Sequence, residues 1–153
     1  MHALNRIGAT VILCGLAWGM SGTAVSAEAG ESAGDCFAAA FKAQDAEGVA
    51  ACYAEDAVLW FPGGPMAKGR AAIRDGFMGY FQDVTIKDIA MTTLGEQAVG
   101  DARASWGTYA ITSVNKATSA ETVEHGRYTD VSKLIDGRWL YVVDHPSDDP
   151  PAD

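Results

Sequence analysis

Apolar residues recur at helical spacing in three stretches of the first half of the chain. Phe37 and Phe41 stand four residues apart, and Ile73, Phe77 and Phe81 repeat the same interval. This spacing places the side chains along one stripe of a helix, which can then pack against a core. The pattern predicts helices over residues 33–43, 46–54 and 69–81.

The second half of the chain changes to the alternation that is typical of strands. A short apolar run, Val58 to Phe61, already predicts one buried strand ahead of the third helix, and a Pro-Gly-Gly-Pro segment ends it. Later strands are predicted over 84–93, 98–113, 120–135 and 139–145. The expected turns lie at Gly95-Glu96, at residues 115–119 and at Asp136-Gly137. Three helices with one short strand, followed by four antiparallel strands, predict an α+β fold.

The N-terminus has the layout of a secretory signal peptide. Arg6 precedes an apolar stretch over residues 7–20, and the small residues that end at Ala27 form a cleavage site. An uncleaved membrane anchor is the alternative, but the apolar stretch is short for a bilayer. We expect a signal peptide at 1–27, one domain at 28–146 and a flexible, acidic, Pro-rich tail at 147–153. The mature protein would be periplasmic or secreted, with no membrane attachment after cleavage.

Charge and motif content argue against several function classes. The chain has 20 acidic and 11 basic residues and a net charge of -9. Nucleic acid is not an expected partner, because contacts to phosphate need a basic surface. The sequence has no phosphate-binding loop, dinucleotide fingerprint or Gly-x-Ser-x-Gly elbow, so no cofactor is expected. It also has no histidine or cysteine pair at the spacing of helix-borne metal ligands, so no metal is expected.

Cys36 and Cys52 are the two cysteines of the expected mature chain. An even number of cysteines in an exported protein favours a disulfide. The two residues lie at equal distances on either side of Gln44, so an antiparallel pair of helices would place them side by side. A bridge closing a loop of about 15 residues would contribute about 3 kcal/mol in the chain-entropy description. Two buried free thiols are the alternative.

Six short motifs follow one another along the expected mature chain. They are Phe37-x3-Phe41, Asp45-Ala-Glu-Gly-Val, Tyr53-Ala-Glu-Asp-Ala-Val, Phe61-Pro-Gly-Gly-Pro, Gly69-Arg-Ala-Ala-Ile-Arg and Asp136-Gly-Arg-Trp. In this order they resemble the nuclear transport factor 2-like superfamily, in its SnoaL-like and ketosteroid isomerase-like branch. The ending Trp139-x4-Asp144-His145 is more similar to a broad branch of small pocket proteins, which resembles the association domain of calmodulin-dependent kinase.

The resemblance implies a cone in which a curved sheet wraps around helices and encloses an apolar pocket. It also implies Tyr53 and Phe61 as pocket walls. Many members of the family dimerise through the outer face of the sheet. The last strand is apolar on both faces, with Trp139, Tyr141 and Val143 on one and Leu140 and Val142 on the other. Because the chain's own helices cover only one face of the sheet, a homodimer is expected.

The chain departs from ketosteroid isomerases at the positions that carry their catalysis. By the resemblance, Phe61 stands in place of the Asp base, Phe37 in place of the oxyanion-binding Tyr, and Phe77 in place of a further pocket Tyr. Asp130 does match, at the position of the second oxyanion donor. Steroid isomerisation is not expected, because the base and the main phenol donor are both missing. Whether the three phenylalanines fill the pocket stays open.

Two aspartates are the main candidates for chemistry. If Asp130 faces the pocket, strand alternation places Gly126, Tyr128 and Ser132 of the same strand in the pocket wall. From the neighbouring strand, the wall would include Leu140, Val142 and Asp144. Two carboxylates in one apolar cavity push their pKa values apart and supply an acid and a base. Alternatively, Asp144 bonds backbone amides and Asp130 pairs with an arginine. His145 is a candidate proton carrier, although neighbouring strand residues face opposite ways; His125 lies on the face opposite Asp130.

Two functions are consistent with these residues. The first is an exported protein that binds a small apolar molecule and performs acid/base chemistry, of isomerase, cyclase or dehydratase type, on a carbonyl compound. Asp130, Asp144 and His145 would carry the chemistry, and the ligand contacts would be Tyr53, Phe61, Phe77, Tyr128 and Val142. The second is a module for dimerisation or ligand binding without turnover. An acidic pocket lined by aromatic residues would favour neutral or cationic ligands over anionic ones.

Overall fold

The computed structural model describes residues 30–150 of the chain. The predicted signal peptide and the end of the predicted tail lie outside these residues. The helices are α1 Ala33–Lys42, α2 Ala46–Ala50 and α3 Arg70–Asp83. The strands are β1 Tyr53–Trp60, β2 Met66–Lys68, β3 Val84–Val99, β4 Ala102–Asn115, β5 Glu121–Ile135 and β6 Arg138–Asp148. The predicted α+β fold is confirmed, with three helices and a sheet of six strands.

Local side-chain bonds define the first two helices. Ser32 caps α1 through a capping box in which its side chain accepts the Asp35 amide and the Asp35 carboxylate accepts the Ser32 amide. Asp45 accepts the Gly48 amide and caps α2. The second predicted helix was too long, because β1 begins at Tyr53 and removes that residue from the helix. Pairing with the sheet outweighs the helical spacing there.

The six strands form one mixed sheet in the order β2-β1-β6-β5-β4-β3. The strands β3 to β6 are antiparallel neighbours, whereas β1 runs parallel to β6. The short strand β2, which the sequence pattern did not predict, pairs with β1 after the Pro-Gly-Gly-Pro turn. The helices lie on one face of the sheet, and the core fills the space between them.

The first turn of the antiparallel part lies later than predicted. Strand β3 runs through Gly95, where the pairing with β4 shifts register, and the chain turns only at Gly100 and Asp101. Gly95 has no side chain, and the ring of Trp106 occupies the space that a Cβ would need. Gly100 has a φ of 63°, which glycine adopts without strain. The glycine at position 95 therefore marks a bulge, which sequence alone does not distinguish from a turn.

A second bulge alters the predicted faces of β6. The pairing of β5 with β6 skips Val142, so Ser132 pairs with Tyr141 and Val131 pairs with Val143. Tyr141 and Asp144, three residues apart, consequently lie on the same face of β6 and are both buried, whereas Val143 is 38% exposed. The prediction that Tyr141 and Val143 share one face of the strand was therefore wrong. Strand β6 also runs to Asp148, two residues into the segment predicted as a tail.

The core joins the helices to β1 and to the inner face of the sheet. Its largest fully buried side chains are Tyr53, Leu59, Ile73, Val49 and Cys52. Cys36 and Cys52 form a disulfide with their Cα atoms 5.8 Å apart. The predicted bridge is therefore present, and it ties α1 to the start of β1.

The outer face of the sheet carries large apolar side chains. Trp60, Trp106 and Val143 are exposed to 43%, 42% and 38%. Within residues 30–150, no helix is long and apolar enough to cross a membrane.

Candidate functional site

An apolar cavity of about 260 Å³ lies between the helices and the inner face of the sheet. Helices α1 and α3, the end of β1 and the strands β3 to β6 all contribute to its wall. The lining residues are Phe37, Phe41, Leu59, Phe61, Pro62, Phe77, Tyr80, Ile89, Met91, Tyr109, Ile111, Glu124, Tyr128, Tyr141, Asp144, Pro146 and Asp148. The cavity exceeds the roughly 150 Å³ that holds a benzene molecule in an engineered apolar cavity. The phenylalanines at 37, 61 and 77 line this space without filling it.

Two cross-strand pairs of glycine and tyrosine shape the sheet side of the cavity. Tyr109 on β4 pairs with Gly126 on β5, and Gly107 on β4 pairs with Tyr128 on β5. Each tyrosine ring lies over the opposite glycine, where a Cβ would overlap the ring. The Tyr128 hydroxyl is 2.9 Å from the Thr93 hydroxyl. The glycines thus let two large rings lie along the sheet instead of filling the cavity.

Asp144 is the buried carboxyl group of the cavity wall. It is 8% exposed, and its Oδ2 accepts a hydrogen bond of 2.6 Å from the Tyr53 hydroxyl. Burial raises the pKa of Asp144 to about 7, with a smaller contribution from the charge of Asp130, while the Tyr53 bond lowers it. Burial and then Asp144 raise the pKa of Tyr53 well above its usual range, so the phenol keeps its proton and acts as the donor.

Asp130 is the cross-strand neighbour of Asp144 but lines an adjoining, smaller space. The two residues pair across β5 and β6, yet Asp130 lines a separate cavity of about 50 Å³ with Ser105, Arg103 and other polar groups. The Ser105 hydroxyl donates a 2.5 Å hydrogen bond to Asp130 Oδ1. Burial raises the pKa of Asp130 to about 6, against the lowering effect of the Ser105 bond. The two carboxyls therefore lie on one face of the sheet and line two adjoining spaces that share Tyr128 and Tyr141 in their walls.

The open end of the cavity carries two further carboxylates. Glu124 and Asp148 are exposed residues of the wall, on β5 and β6. The Tyr109 hydroxyl donates a 2.9 Å hydrogen bond to Asp148 Oδ1. Burial and the neighbouring Glu124 carboxylate raise the pKa of Tyr80 to about 12. This group of two carboxylates and two tyrosines is called the acidic mouth below.

The structure places the predicted ligand contacts in two groups. Phe61, Phe77 and Tyr128 line the cavity. Tyr53 does not line the cavity; it lies in the core and donates a hydrogen bond to Asp144. Val142 is the bulged residue of β6, packs against the core and is not part of the wall.

The two histidines lie away from the cavity. His145 is exposed, and its ring centroid is 5.6 Å from that of Trp60, which is also exposed. His145 therefore does not share a cavity with Asp144, because the two residues face opposite sides of β6. His125 is exposed as well. Neither ring is positioned to exchange a proton with a ligand in the cavity.

Sequence reasoning missed several residues of the wall. Among them are Tyr80, Tyr109, Glu124, Tyr141 and Asp148. Alternation from Tyr128 back to Gly126 and Glu124 would have found Glu124, because all three lie on one face of β5. Tyr141 was hidden by the bulge, and Tyr109 depends on the strand register. Within the described residues, no group of three His, Cys, Asp or Glu side chains is arranged to hold a metal ion.

The fold and the lined cavity define a class of small cone-shaped proteins. The profile of the SnoaL-like domain family matches residues 35–142, and the chain belongs to this family. Its fold is the nuclear transport factor 2-like, or ketosteroid isomerase-like, fold. The predicted family is confirmed. A search of curated proteins finds no match.

Solved structures share this fold over most of the chain. A ketosteroid isomerase-like protein from Erwinia carotovora atroseptica is 26% identical, with a TM-score of 0.70, and the match covers 78% of this chain and 92% of that one. A protein of unknown function from Mycobacterium tuberculosis is 23% identical, with a TM-score of 0.69 and coverages of 78% and 74%. A proposed dehydratase from Streptomyces avermitilis is 15% identical, with a TM-score of 0.65 and coverages of 78% and 93%. The two matches below 25% identity support the fold alone.

Proposed function

We propose that the protein binds a small apolar carbonyl compound in the cavity and that Asp144 exchanges a proton with it. One observation carries this proposal: a buried carboxyl group with a pKa of about 7 lies deep in the wall of a largely apolar cavity. A proton-transfer group is most effective when its pKa lies near the working pH. A structural role for a perturbed carboxyl is the competing explanation, and the experiment below separates the two.

Three residues have distinct roles in this proposed reaction. In its ionised form, Asp144 accepts a proton from the carbon next to the carbonyl, and the protonated form returns it to a neighbouring atom or to a leaving hydroxyl. Tyr53 holds the carboxyl through its bond to Oδ2 and keeps part of the group available in ionised form. Asp130, which lines the neighbouring cavity, raises the pKa of Asp144 through its charge. Isomerisation, cyclisation and dehydration all contain such a step, and the ketosteroid isomerase-like relative is in keeping with it.

The test measures proton exchange rather than a particular reaction. A neutral bicyclic ketone such as tetralone is incubated with the protein in D2O, and exchange of its hydrogens next to the carbonyl is followed by NMR. We expect catalysed exchange by the natural chain and loss of at least about a hundredfold with Asp144→Asn, the size of a general acid–base contribution. Binding of tetralone should persist in the variant. Equal exchange rates in the two proteins would overturn the assignment of Asp144.

A binding module without turnover is the second candidate function. The observation that favours it is the departure at Phe37, Phe61 and Phe77, which gives the cavity an almost wholly hydrocarbon wall on the helix side. In this case tetralone would bind and raise the melting temperature, while exchange would stay at the rate of the free ketone.

We further propose that two copies of the chain associate through the outer face of the sheet. The exposure of Trp60, Trp106 and Val143 on the face opposite the helices supports this. Native mass spectrometry should give the mass of two subunits, and Trp106→Lys should give one. Met78→Lys removes an exposed apolar side chain from α3 and should leave the dimer intact. A single-subunit mass for the natural chain would contradict this proposal.

We also propose export to the periplasm or the cell exterior. The Cys36–Cys52 disulfide supports it, because such bonds persist mainly in oxidising compartments. Intact mass measurement after expression with the native N-terminus should give a chain that begins at Glu28. A full-length chain in the cytoplasmic fraction would contradict it.

A further inference from the structure

The charged groups of the cavity wall all have the same sign. Asp144 lies deep in the wall, and Glu124 and Asp148 lie at its open end; no lysine, arginine or histidine is among the lining residues. Asp144 is 8% exposed, so it contributes a buried polar group that faces the interior of the cavity. The three groups belong to one continuous space, and a ligand that fills it meets all of them.

Basic residues on the neighbouring elements have partners of their own. Arg127 on β5 forms an ion pair of 2.8 Å with Asp149. Lys42 at the end of α1 forms one of 2.7 Å with Asp88. Lys116 after β4 donates a 2.6 Å hydrogen bond to the Phe81 carbonyl at the end of α3. These contacts leave the acidic mouth without a basic side chain in its wall.

The two tyrosines of the acidic mouth, like its two carboxylates, favour a bound cation. Tyr109 donates its hydroxyl proton to Asp148, which fixes that carboxylate at the cavity rim. The Tyr80 ring lines the same space beside Glu124. A positive charge there would lie beside two carboxylates and two phenol rings, which attract cations.

We propose that the carbonyl compound bound in this cavity is an amphipathic amine, whose ammonium group binds between Glu124 and Asp148 and whose apolar body, with the carbonyl, extends towards Asp144. The inference rests on the proposed function, since it takes the same cavity as the binding site. Asp144 and Asp148 are four residues apart on β6, which corresponds to about 13 Å at the rise of a strand. A ligand that contacts both the acidic mouth and the buried carboxyl must therefore span a distance of this order.

Three probes of matched shape and different charge test the proposal. Naphthylethylamine, naphthylethanol and naphthylacetate are titrated into the full mature chain, and binding is measured by calorimetry at low salt. Two partly exposed ion pairs together with a cation–π contact predict that the amine binds about tenfold more tightly than the alcohol. The acetate should bind more weakly than the alcohol. Added salt should reduce the preference for the amine, because the mouth is open to solvent.

Isosteric variants identify the groups that recognise the charge. The double change Glu124→Gln with Asp148→Asn keeps the size of both side chains and an acceptor for Tyr109. It should remove the preference, so that the amine and the alcohol bind with equal affinity. The matched control is Glu121→Gln, which removes one charge from an exposed position of the same strand. This control should keep the preference.

The outcomes separate this inference from the proposed function. Binding of none of the three probes would count against the cavity as a site, and so against both. Binding of the alcohol and the amine with equal affinity would overturn the inference alone. A preference for the amine that survives the double change but disappears with Asp144→Asn would also overturn it, because the ammonium would then lie at the buried end.

Discussion

Tyr53 and Asp144 are joined by a hydrogen bond of 2.6 Å between two buried side chains on neighbouring parallel strands. The bond connects the core with the cavity, because Tyr53 is fully buried while Asp144 lines the wall. Arg70 stabilises the backbone at this point by donating bonds of 3.0 and 2.7 Å to the Tyr53 carbonyl. The orientation of the proposed proton-transfer group is thus set by residues that a ligand does not touch.

Asp144→Asn should change how stability depends on pH. An unfolded aspartate has a pKa of about 3.9, whereas that of Asp144 in the folded chain is about 7. Between these values the folded state binds more protons than the unfolded one, so the free energy of unfolding falls as the pH rises and then levels off. Each pKa unit corresponds to about 1.4 kcal/mol, which makes the fall attributable to Asp144 on the order of a few kcal/mol.

The measurement for this prediction is urea unfolding from pH 4 to pH 8. The variant should show a shallower fall over this range than the natural chain, with Asp130 still contributing below about pH 6. Asp56→Asn, at an exposed position on β1, is the control and should keep the natural slope. Identical slopes for Asp144→Asn and the natural chain would show that Asp144 is not perturbed.

Tyr53→Phe should raise the pKa of Asp144 further. The phenol bond favours the ionised carboxyl and lowers its pKa, so its removal leaves burial and the Asp130 charge opposed only by the bond from the His145 backbone. Carbon-detected NMR titration of the aspartate carboxyl groups would report the midpoint of Asp144 directly. A midpoint that falls on removal of the hydroxyl would contradict the assignment of Tyr53 as donor.

Gly126→Ala should destabilise the fold and disturb the cavity. A Cβ at this position would overlap the Tyr109 ring and the backbone at Ser147, so the ring or the strand must move. Overpacking of this kind costs about 1–3 kcal/mol. Thermal unfolding measures the loss, and weaker binding of tetralone would show the displaced ring.

Gly79→Ala is the matched control for this change. Gly79 lies on α3 with nothing near the position of an added Cβ. Alanine there should stabilise the helix by about 0.5–1 kcal/mol. A Gly126→Ala variant as stable as this control would refute the role assigned to the two glycine–tyrosine pairs.

The sequence predicted those parts of the fold that depend on local pattern. Helix α3 follows directly from the spacing of Ile73, Phe77 and Phe81, and all three are buried. The hairpin at Asp136-Gly137 was equally readable, because both residues adopt the positive φ that this turn needs. Local chemistry determined these elements, so no knowledge of the rest of the chain was required.

The residues that line the cavity were less predictable because their positions depend on strand register. One unpaired residue, Val142, reverses the face on which Tyr141 lies, and nothing in the local pattern marks that bulge. Alternation correctly placed Asp130 and Asp144 on the same face, but it could not show that they line two adjoining spaces of different size. The bond between Tyr53 and Asp144 joins residues 91 positions apart, beyond the reach of any local signal.

Removal of the Cys36–Cys52 bridge should lower the free energy of unfolding by about 3 kcal/mol, because the loop closed by the bond is of medium length. The alanine variants at each position and at both are compared by urea unfolding. If the covalent link carries the stability, either single change already breaks it, and the double variant should lose little more than each single one. Additive losses would instead show that the two side chains act through packing, a real alternative because Cys52 is fully buried. If the covalent link carries the stability, reduction of the natural chain under native conditions should match the double variant in melting temperature, because reduction breaks the link and leaves both side chains in place.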